Sequence, residues 1–583
     1  MGSHRPVAEV DASEGTAGRE PPPAGAEEVA PPVAPSRGAV RNPVVAAARV
    51  AHVVSLAGAA PLIVWFNRDQ WFFGDEWAFF AHRMSGWGRV LFEPHNEHWS
   101  TAPILLYRAV YSAVGLRSYL PYVAVLVVLH VAAAHLLWRV MNRAGVAPLV
   151  SMGLAAVFAV LGSGAENLLW AFQIGFVGAV AAGLLHLLLV DHAGPFGRRD
   201  RLAWLVAVAG LLFSGISVTM TATSGLVVLL RRGVKDAVAT VAPPAAVYLV
   251  WLATVGRDGL GSHDPTLVGT LDVPEYLWTG LTSALERASG IPGGGAVIVV
   301  LVLAWLLRQR AVVRAPGATP TAMAAGSVVL FVVLAVGRTG LGAEQATSGR
   351  YVYIAAALVL PAVGAMLSEG ARGLPSRQVA AAAVLIPVLI HNVGVLRAES
   401  RREAGREAGI RSRLLGAAEL AESAPALAAT QPEPMFSPNV TMELLRRLDT
   451  EGALPAGRVT EADVLAAATY VQVGLADAPP PGGGAVPSVG AAVDDRGCLL
   501  VGPLGAAPVD VRFAEPSAIP LRAPGGGDVT VALHSGTQPG LTGEPRTLRL
   551  RAGVTEWLVV TRAGNVTVAA PSGAIELCGV RTG

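Results

Sequence analysis

Charge is scarce in this chain. Asp, Glu, Lys and Arg make up 15% of its 583 residues, against about 25% in an average soluble domain, while 52% are hydrophobic and the mean hydropathy is +0.50. That balance excludes an ordinary soluble domain and points to the membrane class. Lysine is nearly missing: Lys235 stands alone among the arginines, and the formal net charge is only +2. No basic excess therefore suggests nucleic acid as a partner. Cysteine is limited to Cys498 and Cys578, neither with a second Cys or His at ligand spacing, so no cysteine metal pattern exists. The two read either as one disulfide in an oxidising compartment or as two buried thiols. The N-terminal stretch does not read as a secretory signal: residues 1–40 contain PPPAGAEEVAPPVAP, too poor in apolar surface to fold. This stretch reads as a disordered cytoplasmic tail over 1–43, before an uncleaved first helix. No internal repeat suggests a two-halved transporter.

What the sequence does have is apolar runs. A helix needs about 20 apolar residues to cross a bilayer, and candidate spans fall at 45–66, 119–138, 147–163, 171–190, 202–217, 219–230, 237–255, 295–307, 320–337, 351–368 and 378–396. Arginines mark alternate ends. Arg37, Arg41 and Arg49 precede the first span; Arg139 and Arg143 follow the second; Arg198, Arg199 and Arg201 follow the fourth. Arg231, Arg232 and Lys235 follow the sixth, Arg308, Arg310 and Arg314 the eighth, and Arg372 and Arg377 the tenth. With eleven spans and a cytoplasmic N-terminus, every cluster falls inside. The stretch 202–230 is long for one span and short for two, and its SGISVTMTATSG core predicts a broken pair, its backbone satisfied within the protein or against a water-filled cavity.

This topology gathers 67–118, the turn near 164–170, the loops 256–294 and 338–350, and everything after about 397 on the outer face. Residues 44–396 form the membrane domain and 397–480 a helical linker region containing ESRREAGREAGIRSRLL. Over 481–583, short alternating runs (CLLVG, VDVRFA, DVTVALHS, TLRLRAG, TEWLVVTRAG, NVTVAA, AIELCGV) separated by Gly and Pro predict a β-sandwich. Cys498 and Cys578 would lie near its first and last strands. The expected fold is a polytopic α-helical membrane protein of about eleven spans with a C-terminal, extracytoplasmic, mainly-β domain.

Ionisable residues concentrate in the outer-face segments. WFFGDEW (71–77) carries Asp75 and Glu76 just beyond the first span. Partial burial there can raise a carboxyl pKa toward that of a useful base, although Asp75 also stands where a helix N-cap would. EPHNEHWS (93–100) supplies Glu93, His95, Asn96, Glu97 and His98. On a helical turn His95 and His98 would share a face, but Pro94 favours a loop and no third metal ligand is set by spacing. A sugar or phosphate contact and a structural loop both fit. Glu166, Asn167, Trp170 and Gln173 in GSGAENLLWAFQIGF are polar or interfacial groups near membrane depth, where such groups pair with one another or function. Arg350 and Tyr351 open the tenth span. An outward-facing Arg at a helix start opposes the helix dipole, so an anion is expected beside it: Glu344 or a lipid phosphate, which suits a guanidinium fork.

The motifs GDEW (Gly74–Trp77), PHNEHWS (Pro94–Ser100), GAENLLWAFQ (Gly164–Gln173) and SGRYVY (Ser348–Tyr353), in this topology, resemble the GT-C glycosyltransferases. Within them the chain is similar to the protein mannosyltransferase and aminoarabinose or arabinosyl transferase types, in a pattern like that of actinobacterial members. The resemblance covers about residues 45–396. It implies inverting transfer of a sugar from a polyprenyl-phosphate donor to a cell-envelope glycan, lipid or protein at the plasma membrane. Asp75 would then be the general base, and Glu76 or Glu97 would orient the acceptor or tune that base. Arg350 with Tyr351 would hold the departing lipid phosphate, and Glu166 and His98 would contact the sugar. No redox cofactor is implied; a divalent metal is left open, with no ligand residues assigned. A glycolipid transporter or flippase would place charged or broken segments near the midplane, whereas here the acids cluster on one face. A surface-glycan ligase or polymerase with a diphosphate-linked donor is the nearest enzymatic alternative.

Overall fold

The hydrophobic runs fold as a helical bundle that passes into a β-sandwich. The computed structural model describes residues 43–259, 273–308, 317–338, 342–371, 375–457, 459–480, 485–502 and 507–583. The tail expected over 1–43, apart from Pro43, lies outside the described residues, as do Arg37, Arg41, Arg310, Arg314 and Arg372. Among the described residues, seven helices are long and apolar enough to cross a membrane, or eight if the bent pair Val273–Ser289 and Gly294–Arg308 counts as one span. The chain is therefore a multi-pass membrane protein by length and composition.

Each of the eleven expected segments lies on a helix, but four of these helices fall short of a span when taken singly: Pro148–Ala159, Arg198–Leu211, Gly294–Arg308 and Ile216–Arg232, of 12, 14, 15 and 17 residues. At 1.5 Å per residue, the 14-residue helix reaches only about 21 Å, less than a hydrocarbon core of about 30 Å. The break anticipated in 202–230 falls at Leu212–Gly215, where the Leu212 carbonyl accepts from the Ala102 amide at 2.9 Å. The Ser/Thr run then continues as buried helix at Ser217, Thr219, Thr221, Thr223 and Ser224. The expected loop 256–294 contains a further helix, Val273–Ser289, which meets Gly294–Arg308 at 110°. Gly290 and Gly293, with φ of 73° and 70°, permit the turn, because left-handed backbone is strained for other residues.

The bundle has two chemically different ends. At one, Asp191 takes Arg231 at 2.7 Å and Arg143 at 3.4 Å, and accepts from the Thr319 hydroxyl at 3.1 Å. Beside it Asp200 pairs with Arg232 at 2.6 Å and His192 at 3.3 Å. Arginines that follow the second and sixth expected spans thus meet at a single end, as the topology required. Both aspartates are buried, and each is neutralised by the arginines around it. The other end carries the loops containing Asp75, His95, Glu166 and Arg350.

The 39-residue helix Leu385–Ser423, about 58 Å long, starts within the bundle against Pro148–Ala159 and runs past that second end, where the Ser400 hydroxyl donates to the Phe66 carbonyl, into the C-terminal region. Two sheets form the sandwich. One is five-stranded, in the order Val473–Ala476, Thr555–Val560, Ser517–Arg522, Ile575–Leu577, Leu499–Val501; the other has six strands, with Val509–Phe513, Gly564–Ala569 and Gly527–Leu533 at its centre. Strands such as Val509–Phe513 bury Val511 and Phe513 and expose Asp510 and Arg512, the period-2 alternation of a half-buried strand. The sheet begins at Val473, before the expected boundary at 481. Cys498 and Cys578 form a disulfide between positions 80 apart.

Candidate functional site

The chain segment 70–98 is set in place from behind by the C-terminal region. Glu407, on the long helix, accepts from the Trp71 amide at 2.6 Å, Gln70 donates to the Ser400 carbonyl at 3.0 Å, and the Gly74 amide donates to the Phe436 carbonyl at 2.6 Å. The guanidiniums of Arg411 and Arg406 lie over the rings of Trp71 (4.9 Å) and Phe73 (4.8 Å), an arrangement favoured by the ring quadrupole. Trp71 and Phe72 are buried in protein, whereas Trp87 and Phe92 farther along the segment are exposed.

This anchoring turns the two acids apart. Helix Glu76–His82 starts directly after Asp75, yet the Asp75 side chain makes no cap hydrogen bond. It lines a cavity of about 230 Å³ instead, together with His95, Asn96, Glu97, His98, Gln173, Ser214 and Arg350. The Asp75 carboxylate lies 3.9 Å from His95 Nε2. Glu76 points the other way and does not line that cavity. Its carboxyl is fully buried, accepting from the Tyr107 hydroxyl at 2.6 Å, the Phe73 amide at 3.1 Å and the Tyr119 hydroxyl at 3.3 Å. Burial pushes its pKa up to about 8 despite these donors, because desolvation penalises the charged form. Of the two acids expected to act together, the structure places only Asp75 in the cavity, with Glu76 held among Tyr107, Tyr119 and the Phe73 amide.

The PHNEH motif is a tight turn, not a helical one. His95 and His98 exchange both backbone hydrogen bonds at 3.0 Å, with Asn96 left-handed at φ 51°, a conformation Asn tolerates better than most residues. Residues opposite one another across such a turn project to one face, which is how both imidazoles reach the cavity. His95 stacks edge-on to Phe79 (5.3 Å) and Phe172 (5.2 Å), and His98 to Phe176 (5.2 Å). His95 Nε2 and His98 Nδ1 are buried without a hydrogen-bond partner among the described residues. Burial, with His95 and Arg350 nearby, holds the His98 pKa down to about 4 against the opposing pull of Asp75, so this ring is neutral near pH 7.

Across the cavity, Arg350 is the only Arg or Lys lining it among the described residues. Its Nε lies 3.5 Å from Glu166, and its amide donates to the same carboxylate at 3.2 Å. The Ser348 hydroxyl donates to Glu166 at 3.0 Å. Glu166 thus orients Arg350 and does not line the Asp75 cavity; it lines a second one of about 320 Å³, with Ser163, Arg287, Glu399, Glu403 and Arg406. Tyr351 is buried, and its ring packs 5.5 Å from the Arg350 guanidinium. It supports that side chain rather than reaching the cavity. Gln173 does reach it, its own carbonyl 3.5 Å from the Asn167 amide nitrogen.

Phe79, Phe172, Ser214 and the Tyr107–Tyr119 pair were not anticipated as site residues. Ser214 carried a signal, because it lies in the broken segment whose exposed backbone needed a cavity. Among the described residues, no group of three or more His, Cys, Asp or Glu is gathered as a metal site.

No protein-family profile matches the chain, and no curated protein matches it. Among solved structures, one that is similar is the crystal structure of ArnT from Cupriavidus metallidurans bound to undecaprenyl phosphate, with a TM-score of 0.41 and 13% identity over 68% of this chain and 84% of that one.

Proposed function

We propose that this protein transfers a sugar from a polyprenyl-phosphate donor to a hydroxyl acceptor, with inversion, at the outer face of the plasma membrane. Its N-terminus is cytoplasmic and its sandwich extracytoplasmic. The observation that carries the reading is the Asp75 carboxylate, free of any capping bond, facing the same cavity as Arg350. Asp75 takes the proton of the acceptor hydroxyl as its oxygen attacks the anomeric carbon. The bond from that carbon to the phosphate oxygen breaks on the opposite face, and the lipid phosphate leaves with its charge against Arg350. A single guanidinium suits a monophosphate, which favours this donor over a diphosphate-linked one. His95, Asn96, Glu97, His98 and Gln173 bind the sugar, and Glu166 and Tyr351 hold Arg350. The acceptor is a glycan, lipid or protein of the cell envelope.

The test follows labelled sugar from a polyprenyl-phosphate donor in membranes carrying wild type or Asp75→Asn. General-base catalysis contributes about 10²–10⁴-fold, so the isosteric variant is expected to lose transfer on that scale. Undiminished transfer removes Asp75 as the base. Labelled sugar that crosses the membrane without a new glycosidic bond establishes transport instead.

A further inference from the structure

At the Asp191 end of the bundle, far along the helices from Asp75, a second kind of site stands on different residues. A cavity of about 340 Å³ opens between helices Pro43–Phe66 and Leu120–Arg143, lined by Arg49 from the first and His135, Trp138, Arg139 and Asn142 from the second. We propose that it binds the phosphate headgroup of an anionic lipid.

The charge pattern supports this. Arg143, Arg231 and Arg232 at the same end each have a buried aspartate. Arg49 and Arg139 have no carboxylate partner among the described residues, and no Asp or Glu lines the cavity. Two arginines from facing helices therefore line one space with no carboxylate among the described residues to balance them, and a phosphate oxygen set supplies what the fork geometry accepts. The Trp138 ring forms part of the wall, its indole N–H enclosed and without an acceptor among the described residues. The rings are held in place. His52, itself buried, stacks on Trp138 at 4.3 Å and engages His135 Nδ1 at 3.3 Å.

Lipid is the source, rather than free phosphate, because the cavity lies between two span-length helices and the first of them carries an exposed apolar face. Val50, Val53 and Val54 on Pro43–Phe66 are each more than 60% exposed, leaving a track for an acyl chain beside the headgroup site. Basic pockets between transmembrane helices recognise headgroups in this way. Helix Pro43–Phe66 buries only five of its residues, so a lipid bridging Arg49 and Arg139 adds a tie between it and Leu120–Arg143.

The full chain, purified in an uncharged detergent, is titrated with phosphatidylglycerol, phosphatidylcholine or inorganic phosphate, with binding counted by native mass spectrometry and the unfolding midpoint recorded. Phosphatidylglycerol is expected to bind saturably and raise the midpoint, and phosphatidylcholine to do neither. The double variant Arg49→Gln/Arg139→Gln lowers phosphatidylglycerol affinity at least tenfold. Val45→Trp, which fills the cavity while keeping both arginines, does the same and decides the matter if the double variant does not fold. Wild-type affinity in either variant overturns the proposal, as does equal binding of phosphatidylcholine. Stabilisation by millimolar phosphate that matches the lipid's effect overturns the lipid source.

Discussion

Replacing Glu76 by Gln tests the division of labour between the two adjacent acids. In the folded protein the Glu76 carboxyl is fully buried and its pKa is pushed from 4.5 to about 8. Between those two values the folded chain holds a proton that the unfolded chain has released, so this group makes stability fall as pH rises, by about 1.4 kcal/mol per pH unit. The accumulated cost is about 3 kcal/mol at pH 7 and about 5 kcal/mol above pH 8. His98 acts in the opposite sense: its pKa falls from 6.5 to about 4, so it adds stability as pH rises through that lower window. Wild type alone thus shows a mixed profile, and the difference between wild type and Glu76→Gln isolates the carboxyl. The amide is neutral at every pH; its oxygen can accept from the Phe73 amide while its NH2 donates to the Tyr107 oxygen. Glu76→Gln is expected to match wild type near pH 4.5 and to become progressively more stable than it up to pH 8. Unfolding monitored by tryptophan fluorescence in detergent, at pH 5, 6, 7 and 8, reads that widening gap. A gap that stays constant across the series refutes the reasoning. Transfer activity is expected to survive in Glu76→Gln, because the side chain does not line the cavity. It falls in Glu76→Ala, where buried donors are left without an acceptor at about 1–3 kcal/mol each.

Arg350→Lys keeps the charge but loses the planar fork; donor KM is expected to rise about tenfold and Arg350→Gln to do worse, whereas an unchanged KM in both removes Arg350 from the donor site. Trp71→Ala empties a buried position and is expected to cost about 3–5 kcal/mol, lowering the temperature at which transfer is lost, while Trp71→Phe retains most of it. Replacing Cys498 and Cys578 by Ser opens an 80-residue separation and is expected to destabilise the sandwich by about 4 kcal/mol on a chain-entropy account. Limited proteolysis then cuts within 473–583 while membrane-embedded transfer persists; unchanged protease resistance contradicts that magnitude.

Much of the architecture was legible because it rests on local pattern. All eleven apolar runs are helices, and all seven anticipated β runs contain strands, since periodicity and turn residues act over a few positions. Misses have particular causes. Ser517–Arg522 carries no strand signal, since Pro516, Pro520 and Pro524 disfavour one, yet it sits in the middle of the five-stranded sheet. Helix Val273–Ser289 was read as loop because its mixed polarity does not resemble a span. Four helices are shorter than a bilayer because an apolar run gives composition, while a break such as that at Leu212–Gly215 depends on what the backbone meets there.

The candidate site divides along the same line. The sequence alone determined that acids, imidazoles, Gln173 and Arg350 belong to one end of a membrane bundle, because arginine placement and hydrophobic length orient each segment independently. Only the tertiary structure decided which of them share a cavity. Asp75 and Glu76 are adjacent in the chain, but the helix begins between them. Anchors from Ser400, Glu407 and Phe436, all contributed by the C-terminal region, send one carboxyl into the cavity and the other into a cage of tyrosines. Direction of a side chain depends on partners hundreds of residues away, and no local pattern encodes them.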